Sequence, residues 1–104
     1  MKRVVVTGLG IVSSIGNNLA EVIESLREGR SGIVFADIYK ELGFRCQVHG
    51  AINIDLDAFI DRKIKRFMGD GAAFNYIAMQ QAIDDSGLDD KEVSNVRTGL
   101  VMGS

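Results

Sequence analysis

Arg3-Val-Val-Val-Thr-Gly-Leu-Gly-Ile-Val-Ser-Ser-Ile-Gly-Asn-Asn18 is the stretch on which the fold turns. Its opening, Arg3 to Thr7, is a short β-branched apolar run closed by Gly8, the pattern of a strand buried on both faces of a covered sheet. A loop rich in Gly and Ser follows. Asn17 or Asn18 then caps a helix, with Glu21 three residues beyond Asn18 in the position of a capping box. Leu19, Val22, Ile23 and Leu26 recur at i, i+3, i+4 and i+7, which predicts one apolar stripe laid against the sheet, and Gly29 ends the helix. A strand, a glycine loop and an amphipathic helix in this order predict an α/β fold.

Gly8 and Gly10 lie between a strand and a helix, where a dinucleotide-binding loop places its glycines, and a plausible second strand ends in Asp37 near the position of a ribose-binding acid. The third glycine of G-x-G-x-x-G is missing: Ser13 occupies its place and Gly16 lies too far along. The competing reading is a tight passage in which the glycines let the loop run close to neighbouring backbone. A dinucleotide-binding oxidoreductase segment stays open as the alternative.

Outward from this stretch the signals vary in strength. Between Gly32 and Ile54, Ile33-Val34-Phe35 and Cys46-Gln47-Val48 read as short strands or irregular segments, with turns at Gly43 and Gly50. Asp55 to Met68 reads as helical in pieces, with Ile60, Ile64, Phe67 and Met68 on one face and most of the charge elsewhere. Ala72 to Ile83 is a helix whose first two turns are apolar or small nearly all the way round. Such a helix is ordinarily buried inside a large protein, because a surface helix needs a polar face. Gly87 supplies its left-handed cap, Asp89 and Asp90 start a further turn, and Arg97 to Met102 reads as another strand.

A chain of 104 residues accommodates one small domain, and 46% hydrophobic with 25% charged residues is an ordinary globular composition. The nearly all-apolar helix and the strand at the very end of the sequence predict that these residues open a larger enzyme and hold no complete active site. The formal charge of −2 gives no global attraction to nucleic acid or to an anionic membrane. Thr7, Gly8 and Gly10 interrupt the first apolar run, and none approaches the roughly 18 residues needed to cross a bilayer. A soluble chain is expected; a single cysteine fits a reducing compartment and equally a secreted protein without bridges, and of the two the cytoplasm is expected.

Candidate chemistry is sparse. Cys46 and His49 have the spacing of one metal-ligand pair, but no second pair exists, and zinc takes four ligands or three and water. As a nucleophile and its base they need a cation or a helix N-terminus to lower the thiol pKa, but the neighbours Arg45 and Gln47 suggest an extended segment, so Cys46 reads as a partly buried structural residue. A serine elbow needs glycines on both sides, and only Gly16 after Ser14 fits, so Ser13 and Ser14 read as ordinary loop polarity. The unusual feature is Arg62-Lys63-Ile64-Lys65-Arg66, four cations in five residues of an acidic chain. A solvated face with snorkelling stems is one account. The other is an anion-binding surface, because like charges three and four apart repel by a few tenths of a kcal/mol per pair and a bound anionic partner relieves them.

Four ordered motifs, K-R-V-V-V-T-G-L-G-I-V-S-S-I-G-N-N, S-L-R-E-G-R-S-G-I, I-D-R-K-I-K-R-F-M-G-D and R-T-G-L-V-M-G-S, resemble the N-terminal part of the β-ketoacyl-acyl carrier protein synthases. The V-S-S-I-G-N-N form is more similar to the type I elongating synthases than to type II, whose loop has a proline here. The resemblance covers nearly the whole chain and is weakest from Val34 to Asp57. It implies that residues 1–104 are the incomplete N-terminal part of a thiolase-like fold, within the first of two similar βα halves. It further implies a homodimer that joins acyl chains to malonyl-loaded carrier protein by decarboxylative condensation in bacterial fatty-acid synthesis, without a cofactor or metal. The nucleophilic cysteine and two histidines of that chemistry match no position in this sequence, so the segment alone is expected to be inactive. One element carries over: Arg62, Lys63 and Arg66 match the cations that type I synthases offer to the acidic acyl carrier protein. Lys65 stands where the family usually has an apolar residue, and either extends that surface or is simply solvated. A non-catalytic carrier-binding module is the remaining alternative.

Overall fold

Asn18 starts the first helix of the computed structural model, which describes residues 1–103. Its side-chain oxygen accepts from the Glu21 amide at 3.0 Å, while the Glu21 carboxylate accepts from the amide of Asn17 at 2.7 Å. The reciprocal cap thus reaches one residue further out than a capping box and fixes both asparagines. Helix α1 (Leu19–Glu28) stops at Gly29, whose φ of 65° is left-handed and free of Cβ strain. The expected stripe is only partly inward: Val22 and Ser25 are buried, and Leu26 is exposed. The reason is what α1 packs on. The Ser25 hydroxyl donates to the Ile15 carbonyl at 2.6 Å, and a Cβ on Gly16 would collide with the Val22 amide. The helix therefore rests on the serine-rich loop, which accepts a hydroxyl, where a sheet surface was expected.

The ambiguous middle of the chain resolves into a hairpin enclosing a short helix. Strand β1 (Ile33–Phe35) pairs antiparallel with β2 (Val48–Gly50), Ile33 opposite Gly50 and Phe35 opposite Val48. Gly50 is thus a ladder residue, and the second strand starts two residues later than Cys46. Helix α2 (Asp37–Glu41) fills the connection and ends through Gly43 at φ 71°. Its Tyr39 packs against Phe44 and, edge-on, against His49 at 5.3 Å between ring centroids. Asp37 opens α2 and does not close a strand.

Short helices α3 (Leu56–Phe59) and α4 (Arg62–Lys65) precede the long α5 (Asp70–Ser86), and α6 (Asp90–Val93) follows it with a complete capping box between Asp89 and Glu92. Three sides of α5 have different fates. Ala73 and Ile77, both at most 3% exposed, meet Ile60 to form the small core, around which Val12, Ile54, Leu56 and Met68 pack. Ala78, Ala82 and Ser86, four residues apart, form a second side that carries the glycine loop. Tyr76 and Met79 stay exposed on a third, facing a groove bounded by Leu100 and Met102. The all-round burial expected of this helix is therefore incomplete.

The glycine loop is held on α5 by backbone contact. A Cβ on Gly8 would overlap the Ala82 carbonyl, and one on Gly10 the Ala78 carbonyl. The amide of Leu9 donates to the Asp85 carboxylate at 2.9 Å and that of Ile11 to Gln81 Oε1 at 3.0 Å. Gln81 Nε2 in turn donates to the Asn17 carbonyl at 2.7 Å, and Asn17 Nδ2 to the Asn53 carbonyl at 2.6 Å. Four residues of helix, about 6 Å, separate Gln81 from Asp85, close to the advance of two extended residues.

The two terminal strands expected from the sequence are not formed. Val4, Val5 and Val6 are 90%, 64% and 79% exposed, and residues 3–7 and 97–102 carry no ladder. A strand exists only where a neighbour receives its amides and carbonyls, and among the described residues none lies beside either segment. The radius of gyration, 17.0 Å, exceeds the roughly 13 Å of a compact domain of this length for the same reason: few elements lie upon one another.

The close approach has a direct test. Gly10→Ala should destabilise the folded protein by about 2–4 kcal/mol, because the displaced atoms are main-chain atoms of α5. Gly71→Ala, inside the same helix with open space around it, should instead stabilise by up to about 0.5–1 kcal/mol. Urea unfolding of both variants checks this, and equal midpoints would contradict the packing.

Candidate functional site

Of the chemistry-bearing residues, Arg62, Lys63, Lys65 and Arg66 are the group that the fold gathers on one short element. Their presentation begins with Ile60. Asp55 caps α3 by accepting from the Asp57 amide at 3.1 Å, and five residues after Asp55 the chain leaves the helix at Ile60 in extended conformation, φ −127° and ψ 129°. That break turns the Ile60 side chain into the core at 3% exposure. Asp61 then restarts the chain as a cap, accepting from the Lys63 amide at 2.7 Å. After Lys65 the bonds tighten, Phe67 to Ile64 and Met68 to Lys65, and Met68 returns to the core. Helix α4 is thus pinned at both ends by apolar side chains while its middle faces outward.

The break also corrects the expected apolar face. A single helix would place Ile60, Ile64, Phe67 and Met68 together, but the extended Ile60 resets the phase. Ile60 and Met68 point inward, Ile64 is half-exposed, and Phe67 is 78% exposed. The Arg66 guanidinium lies over the Phe67 ring, 4.7 Å from its centroid.

The four cations are not equivalent. Lys65 Nζ donates to Asp57 Oδ1 at 2.9 Å, an ion pair that bridges the joint between α3 and α4. Arg62, Lys63 and Arg66 are exposed and make no ion pair among the described residues. The hydrogen bond from Lys65 and its charge hold the Asp57 carboxyl below the usual carboxylate value, and Arg62 adds a smaller attraction. A carboxyl lowered in the folded state adds stability above its unfolded pKa and loses it as pH falls through the folded one. Both partners are substantially exposed, so the pair orients more than it stabilises. Sequence spacing could not reveal it: eight residues of continuous helix span about 12 Å, and only the break at Ile60 brings the two side chains together.

The remaining candidates are dispersed. Cys46 is exposed, against the expectation of partial burial, with its thiol 3.5 Å from the Val48 carbonyl. The hairpin that carries it is too thin to cover it. His49 packs against Tyr39, so the structure offers no thiol–imidazole pair here. Ser13 is used locally, its hydroxyl donating to the Gly16 carbonyl at 3.2 Å. Among the described residues no three His, Cys, Asp or Glu side chains converge as metal ligands, and no helix is long and apolar enough to cross a membrane.

The glycine loop does not favour the dinucleotide alternative. The space that a pyrophosphate needs beside Gly8 and Gly10 is filled by α5, the amides of Leu9 and Ile11 are already bonded, and the Asp85 carboxylate would repel phosphate. The two glycines serve close packing, which the residue pattern had offered as the other reading.

Comparison with known proteins agrees. Residues 1–104 match the family described as "Beta-ketoacyl synthase, N-terminal domain". The chain is 51% identical over 104 residues to "3-oxoacyl-[acyl-carrier-protein] synthase 1" of Haemophilus influenzae, and 52% over 105 residues to the protein of the same name in Escherichia coli K12. In both cases all of this chain is covered and 26% of the relative. With "3-oxoacyl-[acyl-carrier-protein] synthase 2" of Vibrio harveyi the identity is 35% over 104 residues, 99% of this chain and 25% of the relative. The chain spans about a quarter of the length of these relatives, and the similarity is greater to synthase 1, the type that the sequence motifs favoured.

The inequality among the cations is measurable. Replacing Lys65 by Met should raise the Asp57 titration back towards the ordinary carboxylate value, followed by the NMR shift of the carboxyl carbon against pH. An unchanged titration would show that the pair does not form in solution.

Proposed function

Because residues 1–104 belong to the β-ketoacyl synthase family as its N-terminal domain, we propose that they form the opening part of a 3-oxoacyl-[acyl-carrier-protein] synthase. The complete enzyme is an acyltransferase that joins an acyl chain to malonyl-loaded carrier protein, with loss of carbon dioxide, in fatty acid biosynthesis. The supporting observation is the match across the whole segment to relatives that carry this name. No catalytic role falls to Cys46 or His49, and this segment on its own is inactive. Its contribution is scaffold and recognition.

The fold of the complete enzyme is read as thiolase-like, with this segment in its first βα half. The exposed runs Val4–Val6 and Leu100–Met102 support that reading, since both have strand composition and neither has a neighbour to pair with here. In a larger sheet each acquires partners, and the open side of α5 acquires a cover. Assembly as a homodimer in the bacterial cytoplasm, with no cofactor, follows from the same family reading.

The recognition element is α4. Acyl carrier protein is acidic, and Arg62, Lys63 and Arg66 present three outward charges from a helix fixed at both ends, while Lys65 is engaged with Asp57. Rim charges of this kind speed encounter with an oppositely charged protein and lose effect as salt rises.

Charge reversal tests the assignment. In the complete enzyme, Lys63→Glu combined with Arg66→Glu should raise the KM for acyl carrier protein substrates about ten- to a hundredfold at low salt. The rate with small thioesters that bypass the carrier should be retained. An equal loss with both kinds of substrate would remove the docking role and leave α4 a structural element.

A further inference from the structure

The docking face of α4 contains a feature that charge does not explain. Phe67 is 78% exposed, stands next to Arg66 and half-exposed Ile64, and has the Arg66 guanidinium 4.7 Å from its ring centroid. Stacking of this kind holds the guanidinium in place and leaves its edge donors free for carboxylates. Meanwhile Ile60 and Met68 on either side turn inward, so the outward ring is not simply the end of the core. A cationic cluster around an exposed aromatic ring matches a partner whose carboxylates flank an apolar patch.

Building on the carrier-docking reading of α4, we propose that Phe67 is the apolar anchor of that interface and that Arg66, laid across its ring, positions it. The anchor and the charges then have separable effects. Charges act over distance on the encounter rate, whereas burial of a ring is gained only after contact and slows departure. Lys65, retained by Asp57, contributes to neither directly.

The test uses the complete enzyme and purified acyl carrier protein, with association and dissociation rates measured at low and at moderate salt. Phe67→Ala should raise the dissociation rate about five- to twentyfold, less than full loss of a buried phenyl ring would give, with the association rate and its salt dependence nearly unchanged. Phe67→Leu should recover most of the residence time. Lys63→Glu should instead slow association and flatten its salt dependence. If Lys63→Glu weakens binding while Phe67→Ala binds as the parent does, the docking surface stands and the anchor falls. If Lys63→Glu has no effect, the docking reading fails and the anchor fails with it. A large loss of thermal stability in both Phe67 variants would place the ring in the interior of the complete enzyme and overturn the proposal.

Discussion

Contact between the main chain at Gly8–Ile11 and the backbone of α5 organises much of the remaining structure. Two missing side chains make it possible, because either Cβ would enter the space of a helix carbonyl. Small residues at Ala78, Ala82 and Ser86 supply the matching groove, and Asp85 and Gln81 bond the loop amides that the helix itself cannot. Gln81 then extends the arrangement to Asn17, and Asn17 to Asn53, so the start of α1 and the approach to α3 are referred to the same helix. Backbone amides held against a helix need partners, and here two side chains of that helix provide them, one for an exposed amide and one for a part-buried one.

The other side of α5 sets the recognition surface. Ala73 and Ile77 receive Ile60, whose extended backbone divides what would be one helix into α3 and α4. That division has two consequences. It brings Asp57 within hydrogen-bond distance of Lys65, and it rotates Phe67 away from the apolar side. A cluster that looks uniform in one dimension thereby becomes one paired lysine, three outward cations and an exposed ring. Helix α4 is only four residues long and draws its orientation from Ile60 and Met68, since a helix of one turn has little stability of its own.

Large apolar side chains remain outside the core, among them Val4, Val6 and Met79. Their exposure agrees with a segment that spans about a quarter of its relatives and whose apolar runs near Val4–Val6 and Leu100–Met102 have no strand beside them among the described residues. Hydrophobic burial is set by what lies opposite, so composition suited to an interior does not create one.

Several features were legible in the residues because their causes are local. Asn18 and Gly29 bound α1, Gly87 ends α5, and Asp55 to Met68 is helical in pieces as expected, although without the shared apolar face that a single helix would give. The four motifs also sufficed to identify the family. Tertiary contact decided the rest. It showed that Gly8 and Gly10 admit a helix and not a phosphate, that α1 rests on a loop, that Arg3–Thr7 and Arg97–Met102 do not pair within this segment, and that Lys65 faces Asp57. Caps and periodicity act within a few residues of chain, whereas close approach, strand pairing and the facing of charges depend on groups far apart in sequence, whose positions are set by packing.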